Sequence, residues 1–257
     1  MTRRLEFSKL SGAGNDFIFV PGPVPAARAR ALARRLTARR EGVGADGLLI
    51  AARDRVEHYN ADGSRTFCGN GARCAAWELA RRGWAGREHS FTLSGVRVRA
   101  VVGRGAARLS MPDVAPPRTL SFSAAGRRMR AVFLDTGVPH AVVEVTPAAL
   151  AALDIAVLGP AVRRHPVFGR PGANADFVAP ARGGLRLRTW ERGVEDETLA
   201  CGTGAVAAAL ALGKSPCRVS VRGGLLTVSF AARPDGGFTD VRLEGPVRLT
   251  FTGEVTL

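Results

Sequence analysis

Apolar and polar positions along this chain change rhythm repeatedly, from alternation with a period of two to runs at helical spacing. Residues 3–10 alternate loosely. They lead into the turn Ser11-Gly12-Ala13-Gly14-Asn15-Asp16 and the apolar run Phe17–Val20, which predicts two strands joined by a tight connection. Pro21, Pro23 and Pro25 end the second strand. From about Ala26 to Arg40, Ala29, Leu32, Ala33 and Leu36 fall on one helical stripe. Strands are expected at Leu48–Ala51, around Val56–Tyr59, at 89–102 and 106–111, then near 128–134, 140–145, 186–191, 217–231 and 239–251. One helix is expected near 147–165. Polar residues collect where strands end, as in Asn60-Ala61-Asp62-Gly63-Ser64 and Glu191-Arg192.

Two stretches interrupt this strand-rich pattern in the same way. Cys68-Gly69-Asn70-Gly71-Ala72-Arg73-Cys74-Ala75-Ala76 and Cys201-Gly202-Thr203-Gly204-Ala205-Val206-Ala207-Ala208-Ala209 each open on cysteine and pass two glycines. Each then enters an Ala-rich run that predicts a buried helix. Each is preceded by an aromatic and a polar residue, Tyr59-Asn60 and Trp190-Glu191, and Gly172–Val178 resembles Gly12–Ile18. The duplication predicts two homologous domains, with the boundary at Pro112, Pro116 and Pro117.

Each cysteine is expected at a helix N-terminus, where free N–H groups and the helix dipole stabilise a thiolate or an approaching carboxylate. Two such cysteines facing each other across an interdomain cleft could invert a stereocentre. One thiolate removes the proton beside a carboxylate and the opposite thiol returns one to the other face. Backbone N–H groups around Gly69–Gly71 and Gly202–Gly204 would steady the enolate-like charge. The plain alternative is a pair of inert buried cysteines, the reading that fits Cys74 and Cys217. No CxxC pair or His/Cys cluster has the spacing of a zinc site. His140, at a strand start, could serve a thiol or be a satisfied core histidine. Glu191-Arg192 could pair with a substrate's ammonium and carboxylate or form a surface ion pair, and Asn15, Asn60 and Asn174 suit turns as well as a site.

Composition narrows the field of functions. At 257 residues with 46% hydrophobic and 23% charged positions, the chain has the make-up of a globular protein able to bury a core. The basic N-terminus lacks the apolar stretch of a signal peptide, and the run Leu199–Leu212 is too short for a membrane span, so a cytoplasmic protein without a membrane partner is expected. The net charge of +15 suggests polyanions. However, all but two of the 37 cationic residues are arginines scattered along the chain without aromatic platforms beside them, which argues against nucleic acid as the partner.

Several motifs together resemble the diaminopimelate epimerase family along the length of the chain. They are GNDF at 14–17, GADG at 44–47, NADGS at 60–64, CGNGAR at 68–73, PH at 139–140, Asn174, ERG at 191–193 and ETLACGTGA at 197–205. The resemblance implies a cofactor-independent epimerase of lysine and peptidoglycan biosynthesis that interconverts L,L- and meso-diaminopimelate, needing neither metal nor pyridoxal phosphate. It implies an α+β fold of two pseudo-symmetric domains, each a mixed sheet curled around a central helix, with residues 1–115 and 246–257 in the first and 116–245 in the second. Cys68 and Cys201 would be the acid/base pair, assisted by His140 and Glu191. Asn15, Asn60, Gly69, Asn70, Asn174, Glu191, Arg192, Gly202 and Thr203 would bind the small amino-acid substrate, and relatives suggest a homodimer. The chain departs from the family's pattern at Val138, where many members have asparagine, at Gly47, where some have glutamine, and in a one-residue-shorter spacing from Ser64 to Cys68. A racemase of proline, hydroxyproline or another amino acid is the related alternative.

Overall fold

The alternating stretch at the start of the chain becomes β1 (Arg4–Gly12), which pairs antiparallel with β2 (Asn15–Pro21) across Ala13-Gly14, both at positive φ. These coordinates are a computed structural model that describes residues 4–256. Met1, Thr2, Arg3 and Leu257, which the sequence assigned to the first strand and first domain, lie outside the described residues. The chain divides into two compact units, one made of residues up to Leu109 and from Glu244 on, the other of Ser110–Leu243.

In the first unit, α1 (Ala26–Thr37) carries the chain from β2 to the parallel strand β3 (Gly47–Ala52). The helix stops three residues short of the expected Arg40, because the N–H groups of Gly44 and Ala45 bond the carbonyls of Leu36 and Thr37 at 3.0 Å. β4 (Arg55–Asn60) returns antiparallel to β3, and Cys68 then opens α2 (Gly69–Arg81). β5 (Glu88–Leu93), β6 (Val96–Gly103) and β7 (Ala106–Ser110) follow, and α2 packs against β1, β2, β3, β5 and β6. Ala72, Ala75 and Ala76 are fully buried there, small enough to let strands close around the helix.

The second unit repeats this order. β8 (Arg118–Ala124) pairs with β9 (Arg127–Asp135), which pairs with β10 (Pro139–Glu144). β8 was not expected. Its alternation of Leu120, Phe122 and Ala124 with exposed polar residues follows directly on Pro116-Pro117, which read as punctuation only. The single helix expected at 147–165 is two, α3 (Pro147–Ala151) and α4 (Ile155–Arg163). Asp154 starts the second by accepting a hydrogen bond from Val157 N–H at its Oδ1. β11 (Asn174–Ala181) lies parallel to β10, and β12 (Gly184–Glu191) antiparallel to β11. After the short β13 (Asp196–Glu197), Cys201 opens α5 (Gly202–Ala211), followed by β14 (Cys217–Val221), β15 (Gly224–Ala232) and β16 (Phe238–Pro246). α5 packs against β9, β10, β11, β12, β14 and β15 and is apolar around its circumference, as a helix enclosed by sheet must be. β17 (Arg248–Thr256) then pairs along β1 in the first unit.

The pairing order corrects the internal repeat. The copy of β11 is β3, the parallel strand after the crossover helix, and not β2, so Gly172–Val178 corresponds to Ala45–Ala51 instead of Gly12–Ile18. β2, β3 and β11 each follow a glycine-bearing turn, which makes the wrong copy look similar in sequence. The ladders put Leu48 opposite Tyr59 and Ala175 opposite Trp190, then Leu49 opposite His58 and Asp176 opposite Thr189. Across the parallel pairs, Phe17 lies beside Gly47 and His140 beside Asn174. In this register His140 and Asp176 take the places held by Phe17 and Leu49.

Candidate active site

Both motif cysteines are the N-cap residues of their helices, with extended backbones (φ −138° at Cys68, φ −106° at Cys201). Each Sγ accepts a hydrogen bond from the N–H three residues on, Gly71 and Gly204, at 3.4 Å. A sulfur in this place takes over the role of a capping oxygen at the first turn of the helix. Gly69 and Gly202 are the first helical residues, and a Cβ at Gly69 would meet nothing within 4 Å.

In the first unit, Asn70 is buried and joins Cys68's helix to the β1–β2 turn. Its Nδ2 donates to Asn15 Oδ1 at 2.5 Å, and Asn15 Nδ2 donates to Asp46 Oδ2 at 3.0 Å. Asp46 and Asp16 each accept the other's main-chain N–H, and Arg39 bridges them at 2.6 and 3.0 Å. Lys9, also buried, pairs with Asp16 at 2.7 Å and donates to Gly44 O. Burial raises the Asp16 carboxyl pKa, but Arg39 and Lys9 outweigh it and hold the group below its ordinary value. The structure thus unites Asn15 and Asn70, whereas the Asn60 side chain donates to Ser64 Oγ at 2.9 Å in its own loop.

In the second unit the gathering is tighter. His140 and Asp176 are wholly buried, with Nδ1 and Oδ2 2.6 Å apart, and Thr189 Oγ1 donates to Asp176 Oδ1 at 2.7 Å. Arg192 N–H donates to Asn174 Oδ1 at 2.7 Å, which fixes the amide so that its Nδ2 faces Pro139 O at 3.2 Å and His140 Nε2 at 3.4 Å. Nε2 is therefore the acceptor, and Nδ1–H donates to Asp176. Cys201 is hydrogen-bonded to Thr203 Oγ1 at 3.4 Å and to the Glu191 carboxyl. Burial pushes the Cys201 thiol well above its ordinary pKa, and the charges of Glu191 and Asp176 push it further. Burial likewise raises Glu191. His140, Asn174, Glu191, Arg192 and Thr203 all join this gathering, by side chain or main chain.

The sequence reading gave no role to Asp176, Thr189 or Arg73, nor to the Lys9–Asp16–Asp46–Arg39 cluster. Asp176 had a signal, a charge inside the otherwise apolar Ala175–Ala179 run. Arg73 had one too, as the only charge between Gly69 and Trp77 on a helix otherwise composed for burial.

A profile of the family described as "Diaminopimelate epimerase" matches residues 7–111 and 132–240. The chain belongs to the diaminopimelate epimerase family. A diaminopimelate epimerase of Chlorobaculum tepidum is 38% identical over 96% of this chain and 100% of its own length. One of Aquifex aeolicus is 34% identical over 98% of each. Among solved structures, a phenazine biosynthesis protein of the PhzF family from Enterococcus faecalis superposes with a TM-score of 0.73 at 13% identity, covering 99% of this chain and 100% of that one. A probable proline racemase from Agrobacterium radiobacter does so at 0.67 and 21%, covering 98% and 93%. These likenesses place the family within a wider group sharing one fold. Among the described residues, no helix is long and apolar enough to cross a membrane.

Proposed function

We propose that this protein is a cytoplasmic isomerase that epimerises L,L-diaminopimelate to meso-diaminopimelate with Cys68 and Cys201 as its two acid/base groups. The observation that carries this reading is the matched pair of Cys-capped helix N-termini in a member of the diaminopimelate epimerase family. One sulfur takes the α-proton as a thiolate, and the other, as a thiol, delivers a proton to the opposite face of the carbanion. Electron density passing into the substrate carboxylate is met by the N–H groups at the two helix starts, where charge development is most favourable. His140, through Nε2, and Glu191, hydrogen-bonded to Cys201, assist the proton transfers. Asn15, Asn60, Asn70, Asn174, Arg192 and Thr203 bind the substrate's amino-acid ends. The family resemblance also favours a homodimer.

Incubation of reduced protein with diaminopimelate in deuterated water should place deuterium at the α-carbon, read by mass spectrometry. Cys68→Ser and Cys201→Ser should each lower epimerisation by about three orders of magnitude or more, since each removes one of two obligatory proton carriers. No α-deuterium with wild-type protein, or wild-type turnover in either variant, would sink the assignment.

A further inference from the structure

The two sulfurs occupy matching places in the fold but have different neighbours. A Cβ at Gly71 would lie 3.4–3.5 Å from Phe17 and Leu49, whereas at Gly204 it would lie 2.6 Å from Asp176 Oδ1 and 3.2 Å from Thr189 Oγ1. Behind Cys201, β11 supplies Asp176, β12 supplies Glu191, and β10 supplies His140, bonded to Asp176 through Nδ1. A negative charge on that sulfur would be buried and would face two carboxyl groups.

α2 carries the opposite charge five residues on from Cys68. Arg73 is fully enclosed; its Nη2 donates to Asn70 Oδ1 at 2.7 Å, while its Nε and Nη1 have no hydrogen-bond partner among the described residues. A guanidinium keeps its proton throughout the working pH range, and burying it is costly unless an anion compensates. Burial lowers its pKa, and the Cys74 and Cys68 sulfurs are the groups whose negative charge would raise it again. Cys74 does not serve, because complete burial pushes that thiol up to about 12. The other charged groups around α2 are engaged or exposed. Glu78 is held by Arg81, Arg82 and Ser8, and Asp16 and Asp46 by Lys9 and Arg39. Glu88, Arg97 and Arg99 face solvent, and the buried His58 on β4 is kept neutral by desolvation.

We propose that Arg73 and Asp176 set the resting protonation of the two thiols, Arg73 holding Cys68 as the thiolate and Asp176, with Glu191, holding Cys201 as the thiol. The inference rests on reading these cysteines as the acid/base pair. In the resting protein, Cys68 Sγ takes the substrate's α-proton and the Cys201 S–H proton goes to the opposite face of that carbon. Turnover leaves Cys68 protonated and Cys201 ionised, and proton exchange with solvent restores the starting state. Arg73 and Asp176 act through the sulfurs, without touching substrate.

The test is an ultraviolet thiolate titration of reduced full-length protein, with Cys68→Ser and Cys201→Ser as the subtractions that isolate each sulfur. Cys68 should ionise at least about one pH unit below Cys201, a tenfold difference in thiolate at fixed pH. Arg73→Met should raise the Cys68 midpoint by about a unit or more, and Arg73→Lys should restore part of the shift. Asp176→Leu, the residue the first unit carries at this place, should lower the Cys201 midpoint, with Asp176→Asn as the gentler variant. Equal or reversed titration in wild type overturns the proposal, as does a Cys68 midpoint unmoved by Arg73→Met or a Cys201 midpoint unmoved by both Asp176 variants. The titration needs no substrate, so a protein that titrates in this order but fails to epimerise diaminopimelate overturns the functional reading alone.

Discussion

His58 is buried on β4, and a Cβ at Gly47 would come within 2.5 Å of its Nε2. Glycine at 47, a departure from the pattern of some family members, is thus the only residue that leaves this imidazole its space. Burial lowers the His58 pKa from 6.5 to about 4, and its bond to Thr66 O recovers only part of the loss. Between those values the unfolded chain binds a proton that the folded chain refuses, so stability falls as pH falls through that window. Urea midpoints at pH 7 and 4.5 should show a loss of roughly 2 kcal/mol that His58→Gln removes. Glu191 works in the other direction, since its raised pKa makes the folded state the better proton binder, and the comparison with the variant cancels it. An identical pH dependence in His58→Gln would show that the imidazole is not the group involved.

At the scale of elements, the two Cys-led helices respond differently to the same change. Gly71→Ala meets only ordinary contacts at 3.4–3.5 Å and gains helix propensity, so stability should move by less than about 1 kcal/mol. Gly204→Ala drives a methyl into Asp176 Oδ1, displacing the group that orients His140, and should cost about 1–3 kcal/mol along with most of the epimerase activity. Denaturation and initial rates on the two variants check this, and equal effects would contradict the register. The helices themselves were legible in the sequence, because cysteine, two glycines and an alanine run leave little but a capped, enclosed helix. The strands were legible as alternation, except β8, where prolines hid a short run, β11, which was read only as a likeness to Gly12–Ile18, and the breaks at Ser94-Gly95, Arg222-Gly223 and Val247, which divide the expected strands 89–102, 217–231 and 239–251. What lay behind each cysteine was not legible. Leu49 and Asp176 become equivalent only once pairing partners are known, and pairing is a long-range property that local pattern does not encode.

At the scale of the whole molecule, β17 completes a ladder begun by β1, from Arg4 opposite Thr256 to Ser11 opposite Arg248. Deleting residues 248–257 leaves β1 with β2 alone and bares its other edge. Hydrogen exchange should then show lost protection for Leu5–Ser11, with the α5 amides of the other unit still protected. Unchanged protection along β1 would show that the pairing contributes little. The same ladder constrains how the protein is born. Chains leave the ribosome from the N-terminus and domains tend to fold as they emerge. Here Ser110–Leu243 emerges as an uninterrupted stretch, whereas the unit begun earlier lacks its closing strand until after that stretch has been made. The second-made half is thus the first that can finish folding, and β1 waits with an open edge, dependent on prompt synthesis of β17 or a chaperone to keep it from pairing with the wrong strand.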